Sequence, residues 1–332
     1  MPDLNDIVED KVDRRKPAFK GQRIYLGNPT KRPLPYQLSL VYEKGSYSQH
    51  TCGAVLISPG FVLTARHCVY NVSAENGFLP LEKWKRIPVK YFKLFTEAHK
   101  IKYEGNLLRY ENSQMRLIKK VIPFFTDLNK KVDLVMIELT EPFKLNDKVM
   151  PACLPNRPVE PMTKCIASGW GITYEEAELG MNERKNLTLQ VADLYVSKLR
   201  CNPHEICTES PDMKSACSGD SGGPLICPGS GGAAIYGIAS YVSEYCDTGV
   251  KPRRTTYVNV FYFKDQIKRI LNLAEDNPCP VNKVGYGDGT CEGILNNSFN
   301  CFDGGDCCKS NQTTFYCKLF CRDESKCNCD CI

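Results

Sequence analysis

Ser221 stands in the run Gly219-Asp220-Ser221-Gly222-Gly223-Pro224. A serine hydroxyl is a poor nucleophile at neutral pH because its proton is held tightly. It attacks a carbonyl when an imidazole takes that proton and a carboxylate orients the imidazole. Glycines beside the serine let the backbone turn N–H groups toward an oxygen that is gaining charge. The chain has only four histidines, and His67 lies in "LTARHC", directly before Cys68. Asp133 heads the apolar run "DLVMIEL". A carboxylate entering a buried strand is costly without a partner, and an imidazole N–H is a fitting one. Each segment alone has a plainer reading: a glycine-rich turn, a structural histidine, a strand-end acid. Together they hold the three groups that acyl transfer needs.

The elements that must position them are short. From Ile24 onward the chain alternates strand-like runs with Gly, Pro and Asn punctuation: "YQLSLVY", "GAVLIS", "FVLTA", "KVIPFF", "DLVMIEL", "TKCIASGWG", "NLTLQVADLYV", "AAIYGIASYVS", "TTYVNV". This pattern predicts an all-β fold, a barrel or sandwich pair. One segment differs. Phe263, Ile267, Ile270, Leu271 and Ala274 recur at three- and four-residue spacing, which predicts an amphipathic helix stopped before Pro278 and Pro280. The long basic span from Tyr70 to Val132, with "KWKRIPVKYFK" and "MRLIKK", reads as solvated strand surface and loops.

With 332 residues, the chain is long for one compact domain, and 42% hydrophobic residues can build a packed core. A net charge of +5 is too modest for a general nucleic-acid binder. No apolar run reaches membrane-spanning length. Nineteen cysteines point to an oxidising, extracellular setting. Four sequons, at Asn71, Asn186, Asn296 and Asn311, fit a secreted glycoprotein. Residues 1–23 are charged and cysteine-free and have no hydrophobic signal region, so they read as a leader whose signal peptide is already gone from this numbering. Ten of the nineteen cysteines lie from Cys279 onward, which marks a second, small module held by disulfides or metal.

The serine, histidine and aspartate segments, with "ASGWG" and "GIAS", resemble the chymotrypsin-like (trypsin-fold) serine proteases, whose triad runs His, Asp, Ser along the chain. The likeness covers Ile24 to Asn277. It implies two six-stranded antiparallel β-barrels with a C-terminal helix, joined here to a small disulfide-rich module. The implied domains are a propeptide at 1–23, a protease domain at 24–277, the module at 278–308 and a cysteine-rich tail at 309–332. By the same likeness His67 is the general base, Asp133 its orienter and Ser221 the nucleophile. The N–H groups of Gly219 and Ser221 form the oxyanion hole, and Ser240, beside the pocket, matches the serine that buttresses the triad aspartate. Asp220 matches an acid that pairs with a newly released N-terminal amine. Cleavage after Arg23 would release Ile24, although Tyr25 and Leu26 depart from the family's usual residues. Lys20 and the cluster "DRRK" are alternative processing points. No cofactor is implied for catalysis.

The pocket residues implied by the resemblance are Ser215 at the floor and Val242 and Thr255 at the walls, with Ser240 alongside. A neutral floor does not compensate a buried guanidinium, so small aliphatic residues such as Ala or Val are the expected preference, as in elastase. Were Arg253 or Arg254 to turn inward, acidic residues would be preferred instead. An enzyme that does not cut after arginine needs an upstream trypsin-like protease to process Arg23. Protein or peptide substrates and protein inhibitors are the other partner classes implied. The rival reading is a catalytically idle homologue acting as a binding cofactor in a protease cascade; such homologues usually lack a triad residue, and none is lost here. The family pattern proposes the bridges Cys52–Cys68, Cys165–Cys227, Cys201–Cys207 and Cys217–Cys246. Cys153 matches a cysteine that often tethers the propeptide, but this leader has no cysteine, so Cys153 either pairs elsewhere, with the tail as the suggested partner, or stays free.

In the tail, "CPVNKVGYGDGTCEGILNNSFNCFDGGDC" resembles a Lin-12/Notch repeat. Asp288, Asn296, Asp303 and Asp306 offer hard oxygen ligands that suit calcium. Leu295 replaces one framework cysteine, which leaves Cys279–Cys301 and Cys291–Cys307 as implied pairs. A disulfide knot without an ion is the plainer reading. The last segment could ligate zinc in principle, but its spacing fits no standard zinc pattern.

Overall fold

A computed structural model of the chain describes residues 27–274, apart from 75, 76, 79, 111, 127, 129, 172–185, 200, 213, 218, 230, 231 and 243–253. The expectations for the leader, for Arg23 and Ile24, for the calcium ligands Asp288, Asn296, Asp303 and Asp306, and for Cys246 therefore lie outside the described residues.

Four strands open the first barrel: β1 (Gln37–Lys44), β2 (Tyr47–Ser58), β3 (Phe61–Thr64) and β4 (Phe92–Phe95). A hairpin follows, β5 (Lys100–Glu104) and β6 (Leu107–Tyr110), and then β7 (Met115–Phe125) and β8 (Lys131–Leu139). The barrel closes in the order β7-β8-β3-β2-β1-β4. Its strands carry the expected alternation only in part, because β3 and the centre of β8 are buried on both faces. Closure leaves no edge open to another chain.

The second half contains β9 (Lys164–Gly169), β10 (Asn186–Thr188), β11 (Gln190–Val196), β12 (Glu205–Glu209), β13 (Pro224–Gly229), β14 (Gly232–Val242) and β15 (Thr255–Asn259). Six of them run β11-β9-β13-β14-β15-β12, and β12 pairs back to β11, so this sheet also closes. Asn28 and Pro29 add an outer rung against Val191 and Gln190. The fold is thus two six-stranded antiparallel barrels. The run "NLTLQVADLYV" is divided: β10 pairs with β5 of the hairpin, and β11 belongs to the second barrel. The hairpin itself falls in the span read as solvated strand surface and loops, and its pairing with β10 is what that reading did not include.

The helix α1 (Val260–Ala274) closes the protease region. Phe263, Ile267 and Leu271 have no exposed surface, in keeping with their spacing. The helix returns to the first barrel, where Phe263 meets Phe124 edge-on at 5.8 Å and the Gln266 side-chain amide donates to the Phe125 carbonyl at 3.0 Å. Burying a side chain such as Phe263 contributes roughly 1.5–3 kcal/mol. The helix therefore fastens one barrel to the other.

Candidate active site

The site forms at the seam between the barrels. Val135 of β8 lies opposite Thr64 of β3, so continuing the antiparallel register brings Asp133 beside the short 3-10 turn Arg66–Val69. There the Asp133 carboxylate accepts twice from His67: Oδ1 from the backbone N–H at 2.8 Å and Oδ2 from ring Nδ1 at 2.8 Å. Nδ1 is therefore the protonated nitrogen and Nε2 is left to accept. Ser240 Oγ donates to the same Oδ2 at 2.6 Å. The β14–β15 register slips between Ala239 and Tyr241, and this bulge turns Ser240 out of the ladder toward the first barrel. Burial alone pulls the His67 pKa down; the charge of Asp133 and its hydrogen bond outweigh that, and the net shift is upward from 6.5. Trp84 stands edge-on to the His67 ring at 6.5 Å.

The Ser221 segment is pinned from both sides. Gly53 N–H of β2 donates to the Ser221 carbonyl at 2.8 Å, and Gly222 N–H donates to Ala239 of β14 at 2.7 Å. Gly222 has φ +76, and a Cβ there would collide with Thr64 Oγ1 and the Gly53 carbonyl. The nucleophile candidate is thus held against the strand end that leads through Ala65 into His67. A Cβ on Gly53 would sit 2.8 Å from the Gly223 Cα, so the two barrels meet backbone to backbone. Gly219 has φ +97, a conformation that disfavours any side chain, and its carbonyl accepts from His50 Nε2 at 3.0 Å.

Asp220 is 2% exposed. Its Oδ1 accepts from Gly171 N–H at 2.7 Å and its Oδ2 from Cys217 N–H at 2.8 Å. A Cβ on Gly169 or Gly171 would collide with this carboxylate, so the pocket that holds it exists only with glycine there. Ser215 has no exposed surface and its Oγ has no hydrogen-bond partner. Thr255 is 2% exposed and its Oγ1 accepts from Ala216 N–H at 3.3 Å, which ties this wall candidate to the floor segment. Val242 ends β14; its side chain lies outside the described residues.

Cys52–Cys68, Cys165–Cys227 and Cys201–Cys207 are bridged. Cys217 is also disulfide-bonded. Cys153 is disulfide-bonded as well, which corrects the alternative of a free thiol there. The sulfurs of Cys52 and Cys68 approach His67, but each is committed to the other, so the cluster has no thiolate to offer a metal. Sequence reasoning missed His50, Ser39 and Tyr110, which connect to the Gly219 carbonyl; the one available signal was a histidine two residues before Cys52.

The family model described as Trypsin matches residues 25–267. The chain belongs to the trypsin family. It is 31% identical to chymotrypsin-like elastase family member 3B of Macaca mulatta, over 71% of this chain and 88% of that protein. It is 29% identical to chymotrypsin-C of Bos taurus, over 72% of this chain and 85% of that protein. Human atrial natriuretic peptide-converting enzyme is 31% identical over 78% of this chain, but the match spans only 24% of that longer protein. Trypsin-family membership implies polypeptide substrates, and catalysis in this family needs no cofactor. Among the described residues no helix is long and apolar enough to cross a membrane.

Proposed function

We propose that this chain is the zymogen of a secreted serine endopeptidase that works through an acyl-enzyme. The observation that carries the reading is the pair of bonds from His67 to Asp133, with Ser240 closing on the same carboxylate from the other barrel. That arrangement fixes the tautomer a general base needs. His67 Nε2 takes the proton of Ser221 Oγ as that oxygen attacks the scissile carbonyl. The oxygen that becomes negative is received by the N–H groups of Gly219 and Ser221. The imidazolium then protonates the leaving amine, and water, activated by the same nitrogen, releases the acyl group. Removing charge development from water in this way is the largest single contribution to such rates.

Ser215, Val242 and Thr255 define a narrow, uncharged pocket in this reading, and the preferred residue before the cut bond is Ala or Val. The buried, uncharged Ser215 and the likeness to an elastase-family relative support it. Three described disulfides support an oxidising, extracellular location. Residues 1–23 act as the propeptide, and an upstream trypsin-like protease cuts after Arg23. The freed Ile24 amine joins Asp220, whose carboxylate is already buried and aimed by two N–H groups. The module at 278–308 is read as Notch-repeat-like, with calcium at Asp288, Asn296, Asp303 and Asp306.

The test is fluorophosphonate labelling before and after cleavage at Arg23, with the new terminus verified by sequencing. Labelling that follows cleavage and disappears in Ser221→Ala is expected. A correctly cut, folded protein that takes no label would overturn the reading. A substrate library then reads the preference, and turnover confined to Arg and Lys would refute the pocket assignment.

A further inference from the structure

Neither the triad nor the pocket accounts for a line of buried polar groups that ends at Gly219. His50 is 2% exposed and Ser39 has no exposed surface. His50 Nε2 lies 3.0 Å from the Gly219 carbonyl, and His50 Nδ1 lies 2.7 Å from Ser39 Oγ. Ser39 Oγ in turn lies 2.8 Å from the Tyr110 hydroxyl. A carbonyl only accepts, so His50 Nε2 carries a proton and donates it to Gly219. For a neutral ring, Nδ1 then accepts, and the single Ser39 proton goes to it. Ser39 has none left for Tyr110, so the Tyr110 hydroxyl is the donor at the far end. Burial pushes the Tyr110 phenol well above its ordinary value, which keeps that proton in place.

Tyr110 is the last residue of β6, in a hairpin outside both barrels. Its ring is stacked on Phe95 at 4.1 Å and 7° between planes. Phe95 pairs with Ser39 across β4 and β1. The hairpin backbone is held separately: Leu108 N–H donates to Ser48 Oγ at 2.7 Å, and Ser48 N–H donates to the Asn106 carbonyl at 2.9 Å. The phenol is therefore fixed in direction by contacts that do not involve the active site.

We propose that Tyr110 is a positioning residue for the oxyanion loop, acting through Ser39 and His50 on the Gly219 carbonyl. By orienting the Ser39 hydroxyl it selects the His50 tautomer, and that tautomer anchors the Gly219–Asp220 peptide. The Gly219 N–H is thereby held toward the developing oxyanion. The surface hairpin β5–β6 is coupled by this line to a group used in the transition state. This inference rests on the protease reading, and its test separates the two.

In the processed wild type, fluorophosphonate labelling first establishes activity. Tyr110→Phe keeps the stacked ring and removes one hydrogen bond. It should lower kcat about 3- to 10-fold with KM unchanged. The affinity for a peptide aldehyde, whose adduct oxygen occupies the oxyanion hole, should fall by the same factor. Ser39→Ala should lower both further, and in its background Tyr110→Phe should have no added effect. Unchanged kcat and aldehyde affinity, a change confined to KM, or independent multiplication of the two effects would each overturn the relay. If the processed wild type is inactive, the protease reading fails. The relay is then judged by ring-nitrogen NMR of His50: a single Nε2-protonated tautomer that becomes mixed in Tyr110→Phe supports it, and an unaltered tautomer refutes it.

Discussion

Each barrel brings one aspartate to the seam, and the two are used differently. Asp133, from the first barrel, keeps 15% of its side chain exposed and spends its oxygens on His67 and Ser240. Asp220, in the second, is almost wholly buried and spends the two oxygens on backbone N–H groups of Gly171 and Cys217. Asp133 therefore orients a side chain and sets its basicity, whereas Asp220 shapes a loop. The first arrangement is complete once the barrels have folded, because every partner is a strand or a turn fixed by a strand. The second sits among Gly219 and Gly222, both at positive φ, and in the proposed activation it depends on the amine that comes to face the carboxylate. In the proposed mechanism Asp133 thus serves the acid–base chemistry and Asp220 the oxyanion loop, and each arrangement draws one partner from the other barrel: Ser240 for Asp133 and His50 for Gly219.

The largest effect that would sharpen this contrast belongs to Asp133→Asn. The amide favours the wrong imidazole tautomer, and kcat of the processed enzyme should fall about 10^4-fold. Asp133 raises the His67 pKa, so the acid limb of kcat/KM in the wild type lies above pH 6.5 and activity is lost as pH falls through it. In the variant that limb should move to lower pH. The same shift has a stability consequence. A raised folded-state value stabilises at pH below 6.5 and the contribution disappears as pH rises through the folded value. Denaturant titration across that window should show the slope in the wild type and lose it in Asp133→Asn.

Asp220→Asn should act on the other half. If cleavage pairs Asp220 with the Ile24 amine as proposed, removing one member of that buried pair costs about 3–5 kcal/mol, which corresponds to roughly 10^2- to 10^4-fold in activity after cleavage. The His67 titration followed by NMR should not move; a matching shift there would break the separation drawn between the halves. Ser240→Ala should have the smallest effect. It deletes one charge-assisted bond to Asp133, worth about 1.5 kcal/mol or tenfold in kcat. Because the carboxylate then keeps more of its charge for His67, the acid limb should move slightly upward, opposite to Asp133→Asn.

What was legible in the sequence follows from how local each signal is. The Gly219–Pro224 run, the His67–Cys68 pair and the strand-heading Asp133 each stand out within a few residues; the fold joins His67 to Asp133 and packs the Ser221 segment against the strand end before His67. The helix was legible because five apolar residues keep one face over about three turns, and Phe263, Ile267 and Leu271 are indeed fully buried. The hairpin was not. Its short strands carry Lys100, Lys102 and Arg109 on their outward side, and charge of that density reads as solvated strand surface without saying what it pairs with. The Tyr110–Ser39–His50–Gly219 line was equally hidden. Its bonds span 71, 11 and 169 residues and join types that occur everywhere. No spacing rule marks a serine that must accept from one side and donate to the other.

The glycine pair at the barrel seam has a consequence for how this molecule tolerates change. Gly53 and Gly223 touch along their main chains, and Gly53 also grips the carbonyl of Ser221. There is no cushion of rotamers at that joint to absorb a shift, so a displacement of one half by a few tenths of an ångström is passed undiminished to Ser221, the proposed nucleophile. A residue that contributes no functional group to the proposed reaction is for this reason as unforgiving to replace as those that do.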